Sequence, residues 1–319
     1  MAHTINSYSL VADIGGTNTR IALAHGISLV PDTVRRYPNS DFSSLQDVIA
    51  RYIQDEGGVA VCAVCVAVAG PVDGAQASLT NLDWSIDAAT LTSSTNADTV
   101  AILNDLQAQG YALGHLPKEN IATVMSGAAS SATATQLVVG IGTGFNAAPV
   151  FETPKGRFVA PSESGHMDMP MRTGSELDLG RAIADHSDEP SVEDALSGRG
   201  LPKIYHALHP SRPQLAGREI LELAADGDAA ANGAVRAFVE MMGKVCGNLA
   251  LVQLPFGGIN LVGGMARAMH PYLATHGFAD GFLSKGRFTD YMNRFPVNIV
   301  TDDYAALTGC AVMLDQNQT

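Results

Sequence analysis

SLVADIGGTNTRIALAHG, residues 9–26, climbs through small and β-branched residues to Asp13, breaks at Gly15-Gly16 with Thr-Asn-Thr behind them, and resumes as RIALA. The pattern predicts two strands joined by a tight turn. A buried strand that ends in a carboxylate is unfavourable unless the charge meets a metal, a ligand or solvent, so a polar site is expected at this tip. The turn is not a Walker A loop, because no Lys-Ser or Lys-Thr follows the glycines, and it is not a G-x-G-x-x-G fingerprint. What remains is a hairpin whose glycines let backbone N–H groups approach an anion, with Thr17 and Asn18 adding side-chain donors. Asp13 is positioned to hold Mg²⁺ through water, since that ion usually takes one or two carboxylates together with substrate phosphates. A lone Gly-Gly turn reads more readily as an ordinary hairpin, so the rest of the chain must decide.

QLVVGIGTGFNAAPVF, residues 136–151, repeats the plan: strand, glycine turn at Gly142-Thr143-Gly144, strand. Two facing hairpins would suit the two ends of a triphosphate. A third glycine pair, Gly263-Gly264, ends the strand GINLV and opens the helix MARAMHPYL, which suits an adenosine pocket. Between these turns strands and helices alternate. SSLQDVIARYIQDEGG puts Leu45, Val48, Ile49, Tyr52 and Ile53 at helical spacing between serine and glycine caps. VAVCAVCVAVAG (59–70) reads as a buried strand, TVAILND (99–105) as a strand delivering Asn104 and Asp105 to its carboxyl end, and residues 228–253 as a long buried helix. Two similar α/β halves, each with a glycine turn, read as a duplicated fold closing over a cleft.

The totals narrow the class. At 319 residues the chain exceeds the size at which one core stops growing, so two domains are expected. Hydrophobic residues are 46% and charged residues only 16%, a globular composition. A net charge of −13 repels phosphate backbones and anionic surfaces, which sets nucleic acid and membrane aside as partners. The longest apolar run is too short to span a bilayer, and MAHTINSY carries neither a basic nor an apolar leader segment, so a cytoplasmic location is expected. Cys62 and Cys65 form a C-x-x-C, but on a strand they face opposite sides and no second pair follows at zinc spacing.

The motifs taken together resemble the bacterial glucokinases, of the sugar kinase and actin-like ATPase superfamily, over nearly the whole chain and in the same order. DIGGTNTR resembles the first phosphate motif, IGTGFN the second and GINLVGGMA the adenosine motif, while AGPVDG, TNLDW, LND, SESGH and VEDALSG resemble the sugar-binding segments. Phe145 and Asn146 stand where the family often continues with glycine, and Ser162 and Ser164 flank Glu163 where glycine is more usual. The resemblance implies an α/β, two-domain actin-like ATPase (ribonuclease H-like) fold with an interdomain active-site cleft, a small domain of residues 1–109 plus 304–319, and a large one of 110–303. It implies ATP-dependent phosphorylation of glucose at O6, with ATP and Mg²⁺ and without zinc, since no cysteine cluster follows His166. A homodimer is implied as well.

By the same resemblance Asp105 is the general base and Asn104, Asp105, Glu163, His166 and Glu193 bind the sugar. Asp13, Ile14, Gly15, Gly16, Thr17, Asn18, Gly142, Thr143, Gly144, Gly263 and Gly264 bind the nucleotide. A sugar hydroxyl is a poor nucleophile, so a carboxylate that accepts its proton is the minimal catalytic need. Asp105 reads alternatively as a helix N-cap before LQAQGYAL. Trp84, the only tryptophan, would lie near the sugar loop and sense closure, or else sit in the core as large aromatics mostly do. Two rivals stay open: a kinase for mannose, fructose or an N-acetylhexosamine, and a non-catalytic sugar or nucleotide sensor.

Overall fold

The computed structural model describes residues 8–79, 82–184 and 189–317. Thr80 and Asn81 of the TNLDW motif, and most of the MAHTINSY segment, lie outside them. The chain divides into two compact units. One comprises residues 1–117, 154–161 and 302–319, and the other 118–153 and 162–301.

The first unit is built on β1 (Tyr8–Ile14), β2 (Asn18–His25), β3 (Ser28–Leu29), β4 (Arg35–Pro38), α1 (Leu45–Asp55) and β5 (Val61–Val68). A small antiparallel meander of β6 (Val72–Asp73), β7 (Gln76–Leu79) and β8 (Leu82–Asp87) follows, then α2 (Ala88–Thr95), β9 (Thr99–Asn104) and α3 (Asp105–Ala112). The main sheet runs β3-β2-β1-β5-β9, with β4 also on β2. β1 and β2 are the antiparallel hairpin read from the opening stretch, whereas β5 and β9 continue parallel to β1. Ile14, Val68 and Asn104 are register neighbours on three parallel strands, so three strand ends meet at one carboxyl edge.

The expected amphipathic helix forms as α1, capped by the Ser44 hydroxyl accepting from the Asp47 N–H at 3.2 Å. Leu45, Val48, Ile49 and Tyr52 are its buried face. Each such side chain contributes about 1.5–3 kcal/mol by leaving water, so a charge at Val48 would undo the helix's docking. Trp84 is 8% exposed and belongs to this same core, so its indole packs against apolar neighbours. The valine-rich segment is a strand as expected. Cys65 on it is buried, Cys62 is half-buried and bonds the Tyr8 carbonyl, and neither forms a disulfide.

The second unit carries β10 (Ile121–Met125), β11 (Gln136–Ile141) and β12 (Phe145–Thr153). The short β13 (Gly156–Val159) falls in the first unit. Helices α4 (Gly174–Ile183), α5 (Val192–Ala195), α6 (Gly200–Leu208), α7 (Gly217–Ala225) and α8 (Ala229–Gln253) precede β14 (Gly258–Val262). Then come α9 (Gly264–Leu273), α10 (Phe278–Leu283), α11 (Thr289–Met292) and β15 (Val297–Val300). Within the unit the strand order is β10-β15-β14-β11-β12. Here too an antiparallel hairpin, β11–β12, is extended by parallel strands, β14 and β15. The long helix α8 is capped by Asp228 and buries Val235, Phe238, Met242 and Val245 as its periodicity predicts.

The last helix, α12 (Ala305–Gln316), returns to the first unit. A Cβ at Gly309 would fall 1.6 Å from the Ala108 carbonyl oxygen, so glycine is what lets α12 lie against α3.

Candidate active site

In the first unit Asp13 is the last residue but one of β1, and the chain turns through Gly15, Gly16 and Thr17 with the Gly15 N–H donating to the Asn18 carbonyl at 3.0 Å. The Asp13 carboxylate meets Arg20, its register partner on β2, with Nη1 to Oδ2 at 3.0 Å. Burial raises the Asp13 carboxyl above its ordinary range and Arg20 opposes that rise. The charge expected to need a partner at this tip has one inside the motif itself. Asn39 braces the turn: its Nδ2 donates to the Gly15 carbonyl at 2.8 Å, its Oδ1 accepts from the Thr19 hydroxyl at 2.8 Å, and its N–H donates to the Thr17 carbonyl. Sequence reading missed Asn39. PNSD looks like any loop, and only its 2% exposure marks it.

At the same edge β9 delivers Asn104 and Asp105. Strand spacing of about 4.8 Å puts the end of β9 roughly 10 Å from the end of β1. Asn104, not Asp105, is the N-cap of α3: its Oδ1 accepts from the Leu106 N–H at 3.0 Å while Gln107 reaches back to the Asn104 N–H. Its Nδ2 donates to the Gly70 carbonyl at 3.1 Å and so ties down the AGPVDG segment. The capping alternative for Asp105 is thereby taken by its neighbour. Asp105 is the first residue of the helix, partly exposed, with Oδ1 accepting the Leu106 N–H at 2.8 Å.

In the second unit Gly142, Thr143 and Gly144 form the turn between β11 and β12, with the Gly142 N–H on the Gly144 carbonyl at 2.9 Å. β14 lies beside β11, so Gly263 and Gly264 share that carboxyl edge. Gly263 has φ +97°, and a Cβ there would sit 2.5 Å from the Ile141 carbonyl oxygen. Only glycine serves at that position. Gly142 and Gly264 have open space where a Cβ would be, a cradle in which a phosphate can approach the backbone and the start of α9.

Glu163, His166 and Glu193 all belong to this unit, and the structure gives them different settings. Glu163 and His166 are exposed on a single 3₁₀ turn, Ser164–His166. Glu193, on α5, points at the glycine turn: Oε2 accepts the Phe145 N–H at 2.9 Å and Oε1 meets Arg199 at 3.1 Å. A Cβ on Gly144 would lie 2.4 Å from Glu193 Oε2, and one on Gly165 would lie 2.2 Å from the Phe145 carbonyl oxygen. The SESGH segment and the strand leaving the second glycine turn are thus packed backbone to backbone. Gly198 donates to the Gly142 carbonyl at 2.8 Å, so VEDALSG backs the same turn.

Among the described residues no group of three or more His, Cys, Asp or Glu side chains is placed to hold a metal ion. A single carboxylate beside a phosphate turn suits an ion carried mainly by a nucleotide's own phosphates, and Asp13 meets that requirement.

Two sheets that each open on an antiparallel hairpin and continue in parallel strands, with glycine turns at their carboxyl edges, define the actin-like ATPase fold as sugar kinases use it. A Streptomyces griseus ROK family glucokinase, solved with glucose and AMPPNP, matches at TM-score 0.67 over 96% of this chain and 99% of its own, and at 18% identity it speaks for the fold. The chain belongs to the glucokinase family: the Glucokinase family model matches residues 10–317. A glucokinase of Marinobacter nauticus is 31% identical over 320 residues, covering 99% of each chain. The crystal structure of a glucokinase from an Antarctic psychrotroph matches at TM-score 0.86 and 30% identity, over 97% of this chain and 98% of that one.

Proposed function

We propose that this chain transfers the γ-phosphoryl group of ATP to the 6-hydroxyl of glucose, giving glucose 6-phosphate and ADP. Membership of the glucokinase family over residues 10–317 is the observation that carries the reading. The residue roles follow the resemblance of the motifs. Asp105 accepts the proton of the 6-hydroxyl as it attacks, which removes the charge that would otherwise build on the nucleophile. Glu163 accepts from sugar hydroxyls, and His166 can donate or accept. Glu193 serves the sugar from a carboxylate already held by Phe145 and Arg199. Asn104 acts with them and also fixes the Gly70 loop and the start of α3. Backbone N–H groups at Gly15–Asn18 and Gly142–Gly144 neutralise phosphate charge, and Gly263-Gly264 give the adenosine room.

Mg²⁺ accompanying ATP would be held by the phosphates with Asp13, through water, and would supply charge neutralisation on the transferring group. We extend the proposal to a homodimer, which light scattering tests, and to the cytoplasm. No helix among the described residues is long and apolar enough to cross a membrane.

A coupled ADP-release assay over glucose, mannose, fructose and N-acetylhexosamines tests the function. Glucose is expected to give the highest kcat/KM. A higher value for another hexose moves the substrate, and binding without turnover on any sugar makes the chain a sensor.

A further inference from the structure

Asn146 is the second residue of β12, register partner of Gly140, and the first side chain past the second glycine turn that can form several hydrogen bonds. Its Oδ1 accepts from the Ser164 N–H at 3.0 Å, the Ser164 hydroxyl at 3.1 Å and the Ser162 hydroxyl at 3.2 Å, as well as from the Ala147 N–H. Its Nδ2 donates to the Ser162 carbonyl. One amide therefore holds the residue before Glu163 by a donor and the residue after it by an acceptor, while Glu163 itself stays exposed.

We propose that Asn146 is a positioning residue for the sugar, clamping Ser162 and Ser164 so that Glu163 and His166 are presented in one arrangement before substrate arrives. The proposal rests on the reading of Glu163 and His166 as sugar ligands. The clamp has a physical rationale. Glycines on either side of Glu163 would leave its backbone with the widest choice of conformers, which binding would then have to restrict. Serines restrict it less by themselves than through what they bond. With both hydroxyls and both flanking backbone groups committed to Asn146, Glu163 has little conformational freedom left to lose. Gly165, pressed on the Phe145 carbonyl, and the His166 N–H on the Glu163 carbonyl at 3.2 Å complete the turn from the other side.

The test is steady-state kinetics of the full chain, with kcat and both KM values measured separately and thermal melts as a check on folding. Variants are Asn146→Ala, Asn146→Asp, the pair Ser162→Ala/Ser164→Ala, and all three alanines together. Asn146→Ala is expected to raise KM for glucose about tenfold, as losing several hydrogen bonds at once allows, with KM for ATP within about twofold. Asn146→Asp keeps the acceptor and loses the donor, so its KM falls between. The serine pair reproduces the alanine effect, and the triple variant adds nothing to it, because groups in one network do not act independently.

Unchanged glucose KM in folded Asn146→Ala overturns the clamp, as do effects that multiply in the triple variant or KM values for both substrates that rise together. Should the alanine variant fail to fold, the serine pair decides in the same terms. Wild-type turnover of another hexose, with the KM split seen on that sugar, upholds the clamp and overturns glucose. Wild-type protein that binds no hexose overturns both.

Discussion

The two glycine hairpins share a backbone plan and differ in what holds them. Gly15–Thr17 and Gly142–Gly144 each join antiparallel strands whose inner member continues into a parallel sheet. Each has a carboxylate paired to an arginine close by, Asp13 with Arg20 and Glu193 with Arg199. In the first, both partners sit on the hairpin's own strands, and Asn39 reaches in from outside. In the second, the acid stands 48 residues beyond the Phe145 N–H it accepts, and Asn146 reaches out to residues 162–164. A turn that is to bind phosphate needs rigid N–H donors, and the fold braces the first from its own strands and Asn39 and the second from Glu193 on a separate helix. Under the proposed roles, the remotely braced turn would tie phosphate binding to the sugar segment. The locally braced one shares its sheet edge with Asp105.

The comparison breaks first at Asp105, because the proposal places the proton acceptor at the first edge. Asp105→Asn is expected to lower kcat by ~10²- to 10⁴-fold, the usual worth of general-base catalysis, with glucose affinity by calorimetry little changed. Turnover near the wild-type rate would remove Asp105 as the base.

The next effect is on Glu193. Glu193→Ala leaves the Phe145 N–H and Arg199 without their acceptor, and bonds to charged groups contribute about 1.5–3 kcal/mol, so kcat/KM should fall by ~10- to 100-fold. Because the carboxylate touches both the turn and the sugar segment, KM should rise for ATP and glucose alike. A rise for glucose alone would mean that it does not brace the turn.

Asn39→Ala probes the first hairpin in the same way. It leaves the buried Thr19 hydroxyl and the Gly15 carbonyl unpaired, a loss of about 1–3 kcal/mol, visible as a lower denaturation midpoint with unchanged slope. KM for ATP should rise and KM for glucose hold. A glucose effect as large as the ATP effect would erase the contrast between the two turns.

The smallest effect is electrostatic. Burial raises the Asp13 carboxyl above its ordinary value of 3.8 despite Arg20, so the folded state binds its proton more tightly than the unfolded one. Stability is then lost as pH rises through that window and is unaffected below 3.8. Asp13→Asn, which escapes the loss, should melt higher relative to wild type at pH 7 than at pH 4.5. A melting difference that does not vary with pH would show that Arg20 fully compensates the burial.

Much of this was legible in the residues. The hairpins, α1, α8 and the valine-rich strand announce themselves by period and by glycine, because burial of one face imposes spacing on a sequence whatever the rest of the chain does. The candidate residues could be named by motif, yet their settings could not be read. Asn104 rather than Asp105 caps α3, since cap geometry depends on where the strand releases the chain. Asp13 finds its counter-charge in Arg20, which needs the strand register to be known. Trp84 packs in the core of the first unit, the second of the two settings its sequence left open.

Local chemistry by itself determined the elements and the glycine turns, while the phosphate and sugar roles of the segments were implied by the resemblance of their motifs. Tertiary structure alone decided that Asn39 locks the first turn, that Glu193 grips the second, and that Asn146 joins Ser162 to Ser164. Hydrogen bonds between groups 16 to 48 residues apart leave no periodic trace along the chain. Their partners are chosen by which strand ends share an edge, and only the folded sheets specify that.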